Sequence, residues 1–214
     1  LNAVRIDTLP AAGSLTLNGV AVTAGQVITA ANIAANQLVF TPALNANGNN
    51  YGNFTFSVQD SAGGFDAAPN TVTLNVTPVN DAPVNTVPVS IAVTEDVATA
   101  ITGISINDID AAGSTMNVTL SAPTGTLAAV SSGGVTVTGS GSGSVLLSGT
   151  QTDINAFIAA SNVSYLTAAN ANGSVSLTVT TNDLGNTGTG GSLSDVDTVT
   201  LNITAVNDAP EGNP

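Results

Sequence analysis

A block of thirteen residues occurs twice in this chain and constrains its fold more than any other feature. The block reads TVTLNVTPVNDAP at residues 71–83 and TVTLNITAVNDAP at residues 198–210. Eleven of the thirteen positions are identical, and the offset between the copies is 127 residues. Each copy alternates like a β-strand and ends in the stiff, acidic run Val-Asn-Asp-Ala-Pro. A repeat of this period is too long for a solenoid and predicts whole β-domains in tandem.

Further matches indicate that the two halves are homologous along their length. ANIAANQLVF at residues 31–40 aligns with AFIAASNVSY at residues 156–165, and the run Asn-Ala-Asn-Gly at 45–48 recurs at 170–173 with the same offset. Ala-rich stretches at 30–35 and 153–160 each follow a threonine, Thr29 or Thr152, that is suited to cap a helical turn. We therefore predict one short helix in each half.

Elsewhere, apolar and polar residues alternate with a period of two, which predicts β-strands separated by Gly- and Asn-rich turns. The predicted strands are residues 4–6, 14–17, 37–40, 54–58 and 72–76, then 90–93, 101–106, 117–120, 135–137, 145–147, 175–179 and 199–203. Seven strands in the second half are enough for an immunoglobulin-like sandwich. The fold class is therefore all-β, with two tandem β-sandwich domains.

The repeat also predicts the domain boundaries. Residues 1–83 form domain one, residues 84–210 form domain two, and residues 211–214 begin the next linker. Domain one lacks roughly 44 residues of a full period, so we expect an N-terminally incomplete sandwich in a piece of a longer chain. The alternative is that a strand from another molecule fills the gap.

Charge excludes several classes of partner. Arg5 is the only basic residue against fourteen carboxylates, and the net charge is −13. Nucleic acid and anionic membrane surfaces both require Lys and Arg, so neither is an expected partner. The chain has no Cys and no His, which removes thiolate sites and the commonest transition-metal ligand, and no apolar run reaches 18 residues. A hard cation is the partner that fits so many carboxylates.

The carboxylates collect at the two ends of domain two. If the strands of domain two alternate in direction, Asp108, Asp110 and Asp183 face the linker that carries Asn80 and Asp81. At the opposite end the predicted group is Glu95, Asp96, Asn207 and Asp208. Crowded carboxylates repel unless a cation neutralises them, and Ca²⁺ accepts six to eight oxygen ligands in flexible geometry. These nine residues are the predicted metal ligands, and solvated loop carboxylates are the alternative.

Three motifs resemble the cadherin-like tandem repeats of giant bacterial RTX-type surface adhesins. They are Val-Asn-Asp-Ala-Pro at 79–83, Thr-Glu-Asp at 94–96 and Asn-Asp-Ile-Asp-Ala at 107–111. The resemblance implies interdomain calcium held by the linker Asn-Asp, by Glu95 and by the Asp-x-Asp of 108–110. Pro78 and Ala205 stand where cadherin linkers have an acidic residue, which implies fewer ions per joint.

We therefore expect calcium-rigidified extender repeats of a secreted adhesin at the bacterial cell surface, which project a distal binding domain for adhesion or biofilm formation. The expected partners are neighbouring repeats of the same chain. One alternative is a subunit of a self-assembling fibre or surface layer, a homo-oligomer with calcium or donated strands at its contacts. Another is a sugar- or surface-binding module. Catalysis is not expected, because there is no Trp and only two Tyr to line a sugar cleft.

Overall fold

The computed structural model describes residues 2–111 and 113–208. The chain forms two compact units that divide between Val79 and Asn80, which we call unit one and unit two. Both are all-β with one short helix each, so the predicted fold class is confirmed. The predicted end of domain two at Pro210 and the linker at 211–214 lie outside the described residues. That strands precede residue 1 stays a prediction.

Unit one packs two antiparallel sheets face to face. Its elements are β1 (Ala3–Thr8), β2 (Ser14–Leu17), β3 (Val20–Ala21), β4 (Val27–Thr29), α1 (Ala30–Ala34), β5 (Leu38–Thr41), β6 (Gly48–Gln59) and β7 (Asn70–Val76). One sheet has the order β4-β1-β6-β7 and the other the order β3-β2-β5. The Thr29 hydroxyl accepts a hydrogen bond from the Asn32 backbone N–H and caps α1 as predicted.

Alternation along the strands creates the core of unit one. Val4 and Ile6 lie on the buried face of β1, and Phe54 lies on the buried face of β6. Arg5 lies between Val4 and Ile6 in sequence and points away from the core. Its Nε pairs with Asp7 Oδ1 at 2.7 Å, the pairing expected from the sequence. A hydrogen bond from Ser57 and the neighbouring Arg5 lower the pKa of Asp7.

Unit two has a larger sandwich. Its elements are β8 (Val84–Thr86), β9 (Ser90–Thr94), β10 (Thr99–Ala100), β11 (Ser105–Asn107), β12 (Thr115–Ser121), β13 (Thr126–Ala129), β14 (Thr136–Thr138), β15 (Ser144–Thr150), α2 (Gln151–Ala159), β16 (Val163–Leu166), β17 (Gly173–Asn182) and β18 (Ser194–Thr204). The main sheet has the order β14-β15-β12-β17-β18-β9, in which only β9 runs parallel to its neighbour, β18. Opposite it lie β10-β16-β13 and the pair β11-β8. No helix in the described ranges is long and apolar enough to cross a membrane.

The core of unit two corrects two details of the prediction. The expected strand at 101–106 is wrong: β10 ends at Ala100 and β11 starts at Ser105, with a turn at Gly103 (φ +77°). Ile101 and Ile104 are both buried in the core, so the apolar pattern at 101–106 reflects core packing and not one continuous strand. The helix α2 is capped by Thr150, not Thr152, so it begins two residues earlier than predicted.

Candidate metal centre

Five predicted residues meet at the end of unit two where the chain enters it, and we call them the entry cluster. They are Asn80, Asp81, Asp108, Asp110 and Asp183. Strand pairing explains the meeting, because Val84 at the start of β8 pairs with Asn107 at the end of β11. Residues just before β8 and just after β11 must therefore lie side by side. The loop after β17 reaches the same end, as the count of alternating strands predicted.

Asn80 anchors the entering chain. The residue is 6 % exposed, and its Nδ2 donates to Asp183 Oδ2 at 2.6 Å and to the Gly191 carbonyl oxygen at 3.0 Å. Its backbone N–H donates to the carbonyl oxygen of Thr189 at 2.9 Å. Three hydrogen bonds thus fasten Asn80 to the loop between β17 and β18.

Asp183 organises that loop from within. It is buried, and its Oδ1 accepts hydrogen bonds from the backbone N–H groups of Gly185 and Leu193, both at 2.8 Å. Its Oδ2 accepts from Asn80. Both oxygens of Asp183 therefore already have partners, which makes it a positioning residue in this arrangement. Its predicted role as a metal ligand stays a prediction.

Hydrogen bonds from backbone N–H groups to carboxylates link Asp81, Asp110 and Asp108 in the same cluster. The Asp81 backbone N–H donates to Asp110 Oδ2 at 3.0 Å, and the Asp110 backbone N–H donates to Asp108 Oδ1 at 3.1 Å. Asp108 is 7 % exposed, and its Oδ2 has no hydrogen-bond partner in the described part of the chain. Its own N–H donates to Gln151 Oε1 at the start of α2. The arrangement leaves one buried carboxylate oxygen without a donor.

The electrostatics of the cluster follow from this burial. Desolvation raises the pKa of the Asp108 carboxyl from 3.8 to about 6, and the neighbouring carboxylates of Asp110 and Asp183 add to the rise. A carboxylate that is buried among other carboxylates is charged at neutral pH only at a cost in stability. A bound cation would remove that cost.

The opposite end of unit two holds the second predicted group, Glu95, Asp96, Asn207 and Asp208, which we call the exit cluster. Glu95 is 2 % exposed; its Oε2 accepts from the backbone N–H of Val206 at 2.9 Å, and its Oε1 has no partner among residues 2–111 and 113–208. Asn207 and Asp208 follow that contact directly and are exposed. Asp96 is exposed and adopts φ +60°.

The structure brings the predicted residues into two neighbourhoods, but their side chains do not form a closed coordination shell. In the described ranges, no group of three or more Asp, Glu, His or Cys is arranged to hold a metal ion. Each cluster has one buried carboxylate oxygen without a hydrogen-bond partner in the described ranges, Asp108 Oδ2 in the entry cluster and Glu95 Oε1 in the exit cluster. A cation bound there would compensate the negative charge of the carboxylate. Metal binding at both clusters stays a prediction.

Sequence reasoning missed the residues that support the entry cluster. Asp195 Oδ2 accepts from the Asn85 backbone N–H at 2.7 Å, and Asn85 Oδ1 accepts from the Thr181 hydroxyl at 2.5 Å. These contacts fasten β8 to the main sheet just after the linker. Asp195 was visible as a carboxylate at the start of a strand, but nothing in the local pattern links it to a residue 110 positions earlier.

The chain was compared with family models, curated proteins and solved structures. No family model matches the chain, and no curated protein matches it. The crystal structure of human mucin-like protocadherin EC1-2 is 15 % identical with a TM-score of 0.42, covering 95 % of this chain and 84 % of that one. The protocadherin gammaB7 EC3-6 cis-dimer structure is 16 % identical with a TM-score of 0.46, covering 98 % and 42 %.

A glycoside hydrolase is also among the structural neighbours. The endo-fucoidan hydrolase MfFcnA4 from family 107 is 19 % identical with a TM-score of 0.29, and the match covers 95 % of this chain but 24 % of the hydrolase. Likenesses at these identities and TM-scores assign no activity to the chain. That this chain is not an enzyme stays a prediction.

Proposed function

We propose that unit two is a calcium-stabilised repeat of an extracellular adhesin stalk. One observation carries the proposal: Asp108 is buried in the entry cluster, and its Oδ2 has no hydrogen-bond partner among residues 2–111 and 113–208. Buried charges in proteins are paired or bound to metal, so an unpaired one needs an explanation. A bound calcium ion would explain it, because the neighbouring carboxylates carry the oxygen ligands that a hard cation prefers.

Asp108, Asp110 and Asp81 are the carboxylates that would hold the ion at the entry cluster. Asn80 and Asp183 would position the linker beside it through the hydrogen bond of 2.6 Å. At the exit cluster, Glu95 Oε1 would act with Asn207 and Asp208. A bound divalent cation supplies positive charge that offsets the repulsion between the carboxylates in each group.

Calcium at the entry cluster would tie the linker to the repeat. Asp81 already contacts Asp110 through its backbone N–H, so an ion shared by their carboxylates would fasten the same two chain segments a second time. Pro78 and Pro83 reduce the freedom of this stretch further by fixing φ. The consequence is mechanical: a joint that resists bending holds a distal domain away from the surface. We assign this role to a secreted bacterial surface adhesin on the motifs at 79–83, 94–96 and 107–111.

The strength of such a site can be estimated by mass action. Extracellular calcium modules have dissociation constants of about 10⁻⁴ to 10⁻³ M. At about 10 mM Ca²⁺ each site would add roughly 1.4 to 2.7 kcal/mol to the free energy of unfolding. Because folded domains are only marginally stable, calcium at both clusters would contribute a substantial part of the free energy of unfolding of unit two.

Isothermal titration calorimetry with CaCl₂, together with thermal unfolding in calcium and in EDTA, tests the proposal. We expect saturable binding, a higher melting temperature in calcium, and loss of the entry-site signal in Asp108→Asn and Asp110→Asn. Asp66→Asn is the matched control, since Asp66 is an exposed carboxylate in unit one. Equal calcium responses in all three variants, or no response in the parent chain, would refute the proposal. Small-angle scattering then tests the mechanical role, because the maximum dimension should lengthen with calcium.

A further inference from the structure

The helix of unit two covers the edge of β11 that faces away from β8. In the described part of the chain, β8 is the only strand that pairs with β11. At the other edge, the side-chain amide of Asn155 in α2 contacts both backbone groups of Ile106. Its Oδ1 accepts from the Ile106 N–H and its Nδ2 donates to the Ile106 carbonyl oxygen, both at 2.8 Å. A neighbouring antiparallel strand would make the same two hydrogen bonds, so Asn155 takes the place of a strand at this edge.

A second amide of α2 continues this row towards the entry cluster. Gln151 lies four residues before Asn155, so the two side chains are neighbours on one face of the helix. Gln151 Oε1 accepts from the backbone N–H of Asp108 at 2.8 Å, and its Nε2 lies 3.4 Å from Asn107 Oδ1. Asp108 follows Ile106 by two residues, and both N–H groups point to the same edge of the chain. We call Gln151 and Asn155 the amide pair.

The helix that carries the amide pair is fixed to the rest of unit two. Ile154, Phe157 and Ile158 are at most 3 % exposed and belong to the core cluster. The helix begins directly after Thr150, the last residue of β15, whose hydroxyl accepts from the Asp153 N–H as the N-cap. A side chain placed by such a rigid element can hold a neighbouring loop in one position.

Helix formation does not explain the amide pair. The repeat aligns Gln151 with Gln26 and Asn155 with Ala30, both at the offset of 125 residues. The helix α1 forms with alanine at this position, as its first residue. Gln26 is used differently, because its Oε1 accepts from the backbone N–H of Thr23 in its own loop. The contacts of the amide pair therefore serve the chain around β11 and not the helix.

We propose that Gln151 and Asn155 are positioning residues of the calcium site at the entry cluster, an inference that rests on the proposed function. Asn155 fixes the chain at Ile106, and Gln151 fixes it again at Asp108. The Asp108 carboxylate is thereby held in place before an ion arrives. A ligand held in this way loses less conformational freedom on binding. Groups that orient metal ligands from behind typically change metal affinity by about 10- to 100-fold.

The neutral amide is the functional group that suits this task. The oxygens of both side chains accept hydrogen bonds from backbone N–H groups, which assigns them to holding the chain. A lysine or arginine could also contact this chain, but its charge would pair with the carboxylates and compete with the cation. An amide holds the backbone and leaves the negative charge of the entry cluster for the ion.

A calcium titration of the intact chain, followed by NMR of backbone amides, tests the proposal. The Asp110 amide reports the entry cluster, and the Val206 amide, which contacts Glu95, reports the exit cluster in the same sample. We expect Gln151→Met to weaken calcium binding at the entry cluster about tenfold and to leave binding at the exit cluster within about twofold of the parent. In EDTA, the Asp108 amide should exchange its hydrogen faster in this variant than in the parent.

Three further variants separate positioning from general damage. Gln151→Glu keeps an oxygen that can accept from the Asp108 N–H, so its affinity at the entry cluster should be equal to the parent's or tighter. Thr152→Met is the matched control, because Thr152 is exposed on the same helix, and it should bind as the parent does. Asn155→Leu should also weaken the entry cluster and speed exchange of the Ile106 amide. Gln151→Met removes a single hydrogen bond and keeps the test valid if Asn155→Leu does not fold.

The outcomes distinguish this inference from the proposed function. If the parent chain shows no calcium-dependent shift at Asp110, the calcium site and its positioning residues are both wrong. If the parent binds and Gln151→Met binds equally well at the entry cluster, only the positioning role is wrong. Equal weakening at Asp110 and Val206 in Gln151→Met would also overturn it, because a loss shared by both ends of unit two indicates a general loss of structure.

Discussion

Replacing Asp108 with asparagine should stabilise unit two without calcium, and calcium should remove most of that advantage. In the calcium-free protein, burial raises the pKa of Asp108 from 3.8 to about 6. Because the folded pKa is the higher one, the folded state binds more protons than the unfolded state between these values, and stability falls as pH rises. The loss begins near pH 4 and is complete above pH 6 to 7. Asp108→Asn has no charge at this position and should not show it.

The size of the effect follows from the pKa difference. At 1.36 kcal/mol for each pKa unit, the shift corresponds to about 3 kcal/mol of destabilisation of the calcium-free parent at neutral pH. Asp108→Asn should recover much of this at pH 8 in EDTA and should therefore unfold at higher urea than the parent. With about 10 mM CaCl₂ the difference should shrink, since the parent alone keeps the carboxylate ligand and gains roughly 1.4 to 2.7 kcal/mol, which offsets about half or more of the penalty.

Urea unfolding monitored by tyrosine fluorescence can measure this in unit two alone. Tyr165 is fully buried there, and its hydroxyl donates to the Thr124 carbonyl oxygen, whereas Tyr51 lies in unit one. A Tyr51→Phe background makes Tyr165 the only tyrosine. If the calcium-free parent has constant stability from pH 4 to pH 8, or if Asp108→Asn loses stability in parallel with it, the reasoning about this carboxylate is wrong.

Three other predictions concern single contacts. Glu95→Gln should abolish the calorimetric signal of the exit cluster and leave that of the entry cluster intact; loss of both would mean one shared site. Asn80→Ala leaves the buried Asp183 Oδ2 without its donor and should cost about 1–3 kcal/mol in urea unfolding, so a change near zero would show that water replaces the amide. Gly125→Ala should destabilise unit two and lower its melting temperature, because Gly125 has φ +75° and an added Cβ would lie 2.5 Å from a backbone carbonyl oxygen; an unchanged melting temperature would contradict this.

The sequence was sufficient to predict that the entry cluster forms, although Asn80 and Asp183 are 103 residues apart. Strand alternation makes this possible, because a period of two identifies strands and each turn reverses the chain. Counting reversals placed the loop after β17 at the correct end although the count missed β13 and β16, because two omitted strands leave the direction of β17 unchanged. The count was wrong for β15, which runs antiparallel to β12. The same reasoning placed Glu95 near the chain that leaves unit two, and the bond to Val206 confirms that proximity.

The sequence was not sufficient to predict which polar side chains form the remaining hydrogen bonds around the entry cluster. Gln151 and Asn85 are ordinary polar residues by pattern, yet one accepts from the Asp108 N–H and the other links β8 to Thr181. Their roles depend on tertiary packing, which local periodicity does not encode. The same limit explains the wrong strand at 101–106, since an apolar run reads alike whether it continues a strand or turns through a core.

One segment of unit two connects its packing to its proposed calcium sites. Residues 84–107 close the sandwich, Glu95 lies within them, and Asp108 follows directly after β11. Among the described residues, the two buried carboxylate oxygens without a hydrogen-bond partner thus belong to residues 84–108, the stretch that also contributes Ile101, Ile104 and Ile106 to the core. Ions at both clusters would hold this stretch near its middle and at its end. Core closure and calcium binding in this repeat are therefore expected to stabilise each other, because both require residues 84–108 to lie in one place.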